Sequence, residues 1–168
     1  MPDFIDEIIR REGGEKETND PDDSGGRTKY GISERAHPEA WADGDVSRTE
    51  ARNIYEKIYI LAERFNLLPE SLKHQVVDHG VPSGPDTATR ILQQVLGVPV
   101  DGNIGPKTLE AVANYPSGKL FGTEVPGIVL LNLAFRDARA IHYATIAKRR
   151  PKDLKFLLGW LKRSQEFK

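Results

Sequence analysis

Residues 3–33 read DFIDEIIRREGGEKETNDPDDSGGRTKYGIS, and this stretch decides the fold. Its first part is a helix signal over residues 3–13: Phe4, Ile5, Ile8 and Ile9 are apolar, with Asp6, Glu7, Arg10 and Arg11 between them. Gly13-Gly14 stops it. Ile5, Ile8, Ile9 and Glu12 share one helical face, because three- and four-residue steps return to the same side. A carboxyl therefore stands at the end of an apolar stripe, at the lip of a core. Partial burial favours the protonated form of a carboxyl, which is the form a general acid needs. The plainer reading of the same pattern is a solvated Glu at a frayed helix end. Residues 15–33 are rich in turn formers and short of apolar residues. They predict an irregular loop or a small hairpin, with β character in TKYGI.

Outward from this stretch the chain reads as helical. Ser47 and Glu50 form a capping box ahead of Ala51, Ile54, Tyr55, Ile58 and Tyr59 at helical spacing. Pro69 precedes a short helix, ESLKHQVVDHG, and VPSGPD reads as a turn. Asp86 is placed to cap TATRILQQVLG, which ends at Gly97, and VPVDGNIG is a second turn. Pro106 opens the next helix, a long helix is expected over residues 124–148, and Pro151 separates it from a last one. The pattern is mostly α, with one small irregular or β element near residues 18–33.

The chain has 168 residues, 38% hydrophobic and 29% charged, a balance that suits a folded domain and argues against disorder. It has no Cys, which excludes disulfides, thiol catalysis and Cys-ligated zinc. Its four His residues (37, 74, 79 and 142) form no HxxxH pair, and no metal or cofactor is expected. No apolar run reaches the length of a membrane span. The opening MPDFIDEIIRREGG has neither a cationic start nor an apolar block, so a classical signal peptide is not expected. The net charge of −1 conceals an asymmetry: residues 1–56 hold 15 Asp/Glu against 8 Lys/Arg, and residues 136–168 hold 10 Lys/Arg against 3 Asp/Glu. Such a basic end suits an anionic partner.

Asp20, Asp22 and Asp23 follow Glu12 in a glycine-bearing loop. Glycoside hydrolysis calls for two carboxyls across the scissile bond, and helix plus loop offer them. A solvated acidic turn is one competing reading. A calcium loop is another: Asp20, Asp22, Ser24 and Gly25 fit its first, third, fifth and sixth positions, but Gly31 stands where a Glu is required.

These residues resemble glycoside hydrolase family 108, phage endolysins and bacterial muramidases with a Glu-Gly-Gly-Tyr motif near the N-terminus. The resemblance puts the family's essential acid on Glu12. The loop pattern NDP-x-D-x-GG-x-T-x-x-GI is met by Asn19, Asp20, Pro21, Asp23, Gly25, Gly26, Thr28, Gly31 and Ile32. Asp22 falls on a free position of that pattern. A-x-x-x-Y-x-x-x-Y is met by Ala51, Tyr55 and Tyr59, and VVDHGVPSG resembles the F-D-x-A-V-N-x-G segment through Asp78, Val81 and Gly84. ILQQVLGVPVDGNIGPKTLEAV resembles the peptidoglycan-binding region of these enzymes, and LLGWLKR their terminal Gly-Trp-x-x-Arg. Three positions depart: Glu15 replaces the motif Tyr, Val77 the Phe before Asp78, and Pro82 the Asn.

The resemblance implies a mainly α (α+β, lysozyme-like) fold with a small hairpin or loop beside the catalytic Glu. It implies a catalytic region over 1–85 and a peptidoglycan-binding region over 86–168, packed into one compact unit. The expected activity is an N-acetylmuramidase of the endolysin type, cutting the β-1,4 bond between N-acetylmuramic acid and N-acetylglucosamine. Glu12 would be the general acid, Asp20 or Asp23 a base or electrostatic stabiliser, and Thr28 a water-positioning residue. Tyr30, Tyr55, Tyr59 and Asp78 are the candidate substrate contacts, although a helical Tyr pair is more often half-buried core. The alternatives are a lytic transglycosylase and a non-catalytic peptidoglycan-binding or secretion-assisting protein. The expected partner is bacterial peptidoglycan. No nucleic acid is expected, because a recognition-helix or zinc pattern is missing. A monomer is expected, staying in the host cytoplasm until holin-type or other export. The last helix combines Leu154, Leu157, Leu158 and Leu161 with Lys152, Lys155, Lys162 and Arg163, which suits weak membrane contact. A closing core helix with a solvated basic face is the plainer reading.

Overall fold

The computed structural model describes residues 3–19 and 26–166. They divide into two compact units, Met1–Leu61 and Ala62–Lys168.

The first unit opens with α1 (Phe4–Arg11), whose Ile5, Ile8 and Ile9 are buried and whose first turn is capped by the Asp3 carboxylate accepting from Ile5 N–H. The helix ends on two left-turning glycines, Gly13 at φ 103° and Gly14 at φ 59°, and the Gly14 N–H donates to the Ile9 carbonyl at 2.9 Å. The strands β1 (Thr28–Lys29) and β2 (Ile32–Ser33) pair antiparallel. Tyr30 at φ 53° and Gly31 at φ 77° make the two-residue turn between them, the double left-handed geometry that matches strand twist. Thr18 extends the ladder by exchanging both backbone bonds with Thr28, at 2.8 and 2.9 Å. The hairpin expected within residues 15–33 is therefore present at its end, in TKYGIS.

Helix α2 (Arg48–Ile54) starts with the expected capping box: Glu50 N–H donates to Ser47 Oγ at 3.2 Å, and Ser47 N–H to Glu50 Oε2 at 2.8 Å. Arg52 on α2 donates to Asp6 Oδ1 at 2.5 Å and also to Asp3, which ties α2 to the first turn of α1. The helix then widens into a π-helix over Tyr55–Leu61, a rare form that gathers at functional sites.

The second unit is helical apart from one hairpin. α3 (Glu70–Ser83) buries a continuous run, Gln75 to Gly80, and so is enclosed on all sides. It runs through Val81, Pro82 and Ser83, so VPSGPD is helix rather than turn up to Gly84, which alone separates α3 from α4 (Pro85–Leu96). Gly84 also takes the cap position expected for Asp86. Asp86 lies in the first turn of α4 and pairs instead with Arg90, at 2.8 Å. α5 (Pro106–Ala113) follows a loop read by the buried Gln93 amide, which donates to Asp101 Oδ1 at 2.7 Å and the Asn103 carbonyl at 2.9 Å while accepting from Gly102 N–H at 2.9 Å. Turn and packing chemistry thus accounts for LGVPVDGNIGPKTL, with Ile104 buried as the plug.

A second hairpin, β3 (Gly118–Leu120) with β4 (Thr123–Val125), precedes α6 (Gly127–Arg149). The long helix therefore begins three residues later than expected, because Thr123–Val125 pair as a strand. Leu131, Phe135, Arg139, Tyr143 and Ala147 recur every fourth residue as its buried stripe. After Pro151–Asp153, α7 (Leu154–Gln165) packs back on α6, with Trp160 stacked on Tyr143 at 5.3 Å between ring centroids. The four leucines of α7 lie on one side of the helix but are unequally covered: Leu157 and Leu161 are half-buried, and Leu154 and Leu158 are exposed. Among the described residues, no helix is long and apolar enough to cross a membrane.

Candidate active site

Glu12 is the residue immediately after α1, in the C-cap position, with its N–H donating to the Ile8 carbonyl at 3.0 Å. It is half-buried, as the stripe of Ile5, Ile8 and Ile9 requires. The Gly13-Gly14 reversal brings the β1–β2 turn back against it. Tyr30 N–H donates to the Gly14 carbonyl at 3.0 Å, and Gly31 faces the Glu12 side chain so closely that an added Cβ would lie 2.8 Å from Glu12 Cβ. The same Cβ would overlap the Tyr55 hydroxyl. That hydroxyl donates to the Tyr30 carbonyl at 3.1 Å. Helix end, hairpin turn and π-helix thus meet at the stem of the Glu12 side chain.

Tyr55 is 2% exposed, so its ring offers no face to a sugar. Its structural role is to pin the hairpin turn, and the expectation of a direct substrate contact gives way to that supporting one. Tyr30 is also buried, and it takes part through its backbone. Tyr59 differs. Its ring lies 5.5 Å from that of Tyr55 and is half-buried. Burial, and then the nearby Glu12 charge, hold its phenol above the usual tyrosine range. Glu12 and Tyr59 therefore share one partly desolvated neighbourhood.

Asp6, Ile9, Arg10, Gly14, Glu15, Tyr30 and Arg48 line a groove of about 450 Å³ on the same unit. Glu15, exposed, stands on this groove, so the departure from the family's Tyr exchanges an aromatic surface for a charge. Thr28 is half-buried in β1, its hydroxyl donating to the Gly26 carbonyl at 3.4 Å. Asp20, Asp22 and Asp23 lie outside the described residues. Among the described residues no three His, Cys, Asp or Glu side chains gather as a metal site.

Asp78 belongs to the second unit and is completely buried on α3. It accepts from Arg139 Nη2 at 2.6 Å and from Arg163 Nε at 3.0 Å. A carboxylate so enclosed is an anchor between α3, α6 and α7, and the expectation of a substrate contact is corrected accordingly. The sequence carries one signal for Gly31 at the site, the Tyr-Gly dipeptide between two short β-prone runs.

Comparison with known proteins adds the name. Residues 5–84 match the family model described as Glycosyl hydrolase 108, and residues 87–165 match the one described as Predicted Peptidoglycan domain. The first half of the chain is thus similar to glycosyl hydrolase 108 and the second half to a peptidoglycan-binding domain. A solved structure of Brucella abortus SagA is similar, with 28% identity and a TM-score of 0.65 over 96% of this chain and 91% of that chain. No curated protein matches. The fold is mainly α and lysozyme-like, with the small hairpin beside Glu12, and the protein is a glycoside hydrolase whose partner is peptidoglycan.

Proposed function

We propose that this protein is an N-acetylmuramidase of the endolysin type, hydrolysing the β-1,4 bond between N-acetylmuramic acid and N-acetylglucosamine. The observation that carries the reading is the setting of Glu12. It is half-buried at the end of an apolar stripe and fixed by the Gly13-Gly14 reversal and the Tyr30-Gly31 turn. In this reading Glu12 protonates the leaving oxygen. Asp20 or Asp23 activates water or stabilises the oxocarbenium-like transition state, and Thr28 positions the water. Tyr59, beside Glu12, borders the sugar site. Residues 1–85 act as the catalytic region and residues 86–168 hold the wall. The protein acts as a monomer without nucleic acid and reaches the wall after holin-type or other export.

The test is digestion of purified peptidoglycan by wild type and Glu12→Gln, with mass spectrometry of the fragments. Gln keeps the size and removes the proton. Fragments with a new muramic reducing end, lost in the variant, are expected. Anhydro-muramic products would replace hydrolysis by transglycosylation. Equal cleavage by both proteins would remove Glu12 from the mechanism, and wall binding with no cleavage by wild type would leave a non-catalytic binding protein.

A further inference from the structure

Phe121 stands at the tip of the β3–β4 hairpin and is fully exposed, at 107% of its reference surface. It helps neither the turn nor the core. The turn places Phe121 at φ 49° and Gly122 at φ 83°, a pair of left-handed positions in which Asn-Gly is the natural choice and a bulky residue is an outlier. The ring buries nothing of the chain. The base of the hairpin, by contrast, is fixed. Gly118 packs against Leu130, where an added Cβ would lie 3.1 Å from Leu130 Cδ1, and Gly127 at the start of α6 lies so close to the Tyr115 carbonyl that a Cβ would collide with it. A rigid stem thus carries one aromatic ring into solvent, at a conformational cost, within the segment that matches the peptidoglycan domain.

We propose that Phe121 is a glycan-stacking residue that docks a sugar ring of peptidoglycan on the second unit. The size of the patch selects this occupant. Leu120, 38% exposed, is its only exposed apolar neighbour on the hairpin, far below what a stable protein interface needs, whereas one ring suffices for the C–H face of one pyranose. Charge argues the same way. Lys119 pairs across the strands with Glu124 at 3.2 Å, so the tip carries no cationic excess to draw it to an anionic bilayer. The exposed Thr123, Lys119 and Glu124 offer hydrogen-bond partners for sugar hydroxyl and acetamido groups around the ring.

This inference rests on peptidoglycan being the partner, and the experiment separates the two. Wild type, Phe121→Ala and Phe121→Trp are compared in pelleting with insoluble sacculi, in hydrolysis of soluble glycan fragments, and in flotation with phosphatidylglycerol–phosphatidylethanolamine vesicles. The Ala variant is expected to bind sacculi about five- to tenfold more weakly with unchanged turnover of soluble fragments, and the Trp variant to bind as wild type. Unchanged sacculus binding by Phe121→Ala, with cleavage intact, overturns the docking residue and leaves the muramidase standing. Vesicle binding lost with Phe121 assigns the tip to lipid and overturns the proposal. Wild type that neither binds nor cleaves the wall overturns both.

Discussion

Arg163 takes up the backbone and the side chain of Asp78 together: its Nε donates to Asp78 Oδ1 at 3.0 Å, and its Nη2 approaches the Asp78 carbonyl at 3.5 Å. Pro82 stands four residues on and has no N–H, so it cannot supply the helical bond to that carbonyl. The guanidinium of α7 reaches what Pro82 gives up, which explains how a proline is accommodated inside α3. Asp78 also neutralises Arg139, which is completely buried. Removing the carboxylate would strand a charge in the core. Asp78→Ala is expected to lose about 3–5 kcal/mol of unfolding free energy. Arg163→Met, which leaves the Asp78–Arg139 pair in place, should lose less, about 1–3 kcal/mol. Urea unfolding of both variants checks the order, and an Asp78→Ala loss no larger than that of Arg163→Met would contradict it.

Gly31 is the position at which a stability change also tests the role proposed for Glu12. Its φ of 77° costs any residue with a Cβ about 1–2 kcal/mol, and the added methyl would press on Glu12 and the Tyr55 hydroxyl. Gly31→Ala is expected to lose about 2–4 kcal/mol and, because the acid is displaced, to lower kcat on peptidoglycan about a hundredfold in protein that is still folded. Tyr55→Phe makes the contrast. It leaves the buried Tyr30 carbonyl without its donor at a cost of about 1–3 kcal/mol, but puts nothing against Glu12, so turnover should fall much less. Equal kcat losses in the two variants would show that the hairpin turn, rather than the crowding of Glu12, sets the rate.

Local signals in the sequence were legible where a few neighbouring residues determine the geometry. The apolar stripe of α1, its Gly13-Gly14 stop and the Ser47–Glu50 box all lie within one or two helical turns, and each is present. Features set by distant partners were not. The π-helix over Tyr55–Leu61 has the same apolar spacing as an α-helix over so few residues. The β3–β4 hairpin carries no sequence signal, because Phe121-Gly122 lacks the Asn or Asp that marks such turns. Asp86 looked like a cap, yet Arg90 and Gly84 give it another task. Asp78 read as a cleft residue because its arginine partners lie 61 and 85 positions away. The face of Glu12 leaves a half-buried and a solvated carboxyl both open in the sequence, and its half-burial and contact with Gly31 come from the fold.

His79 provides a pH handle on the second unit. It is completely buried, its Nδ1 is 3.0 Å from the Tyr143 hydroxyl, and its ring is edge-on to His142 and Phe135. Burial, and then the charges of Arg139, His142 and Arg163, push its pKa down to about 2 from an ordinary 6.5. Between those values the unfolded chain binds a proton that the native one refuses. The stabilisation is thus complete above pH 6.5 and is lost as pH falls towards 2, by up to about 1.4 kcal/mol per pH unit. Urea midpoints between pH 7.5 and 5 should decline in wild type, and His79→Gln should decline less steeply by about one proton. Parallel slopes would mean that other groups carry the acid sensitivity.

In the proposed mechanism a second carboxylate decides the stereochemistry. Asp20 and Asp23 both fit the family pattern, and Asp22 occupies its free position. If one of the two activates water or stabilises the cationic transition state, its Asn variant should lose about 10²–10⁴ in kcat with the fold intact, while Asp22→Asn stays near wild type. The product then reports geometry. A carboxyl pair about 5–5.5 Å apart retains the anomeric configuration through a covalent intermediate, and one roughly 6.5–9.5 Å apart inverts it through water. Proton NMR of the first-formed anomer from a soluble glycan fragment distinguishes the two before mutarotation. A hundredfold loss in Asp20→Asn or Asp23→Asn together with an inverted product assigns that residue as the base. Retention with the same loss assigns it as nucleophile or stabiliser. If neither Asn variant loses activity while Glu12→Gln does, the single-acid transglycosylase chemistry replaces hydrolysis, and the anhydro product must then appear.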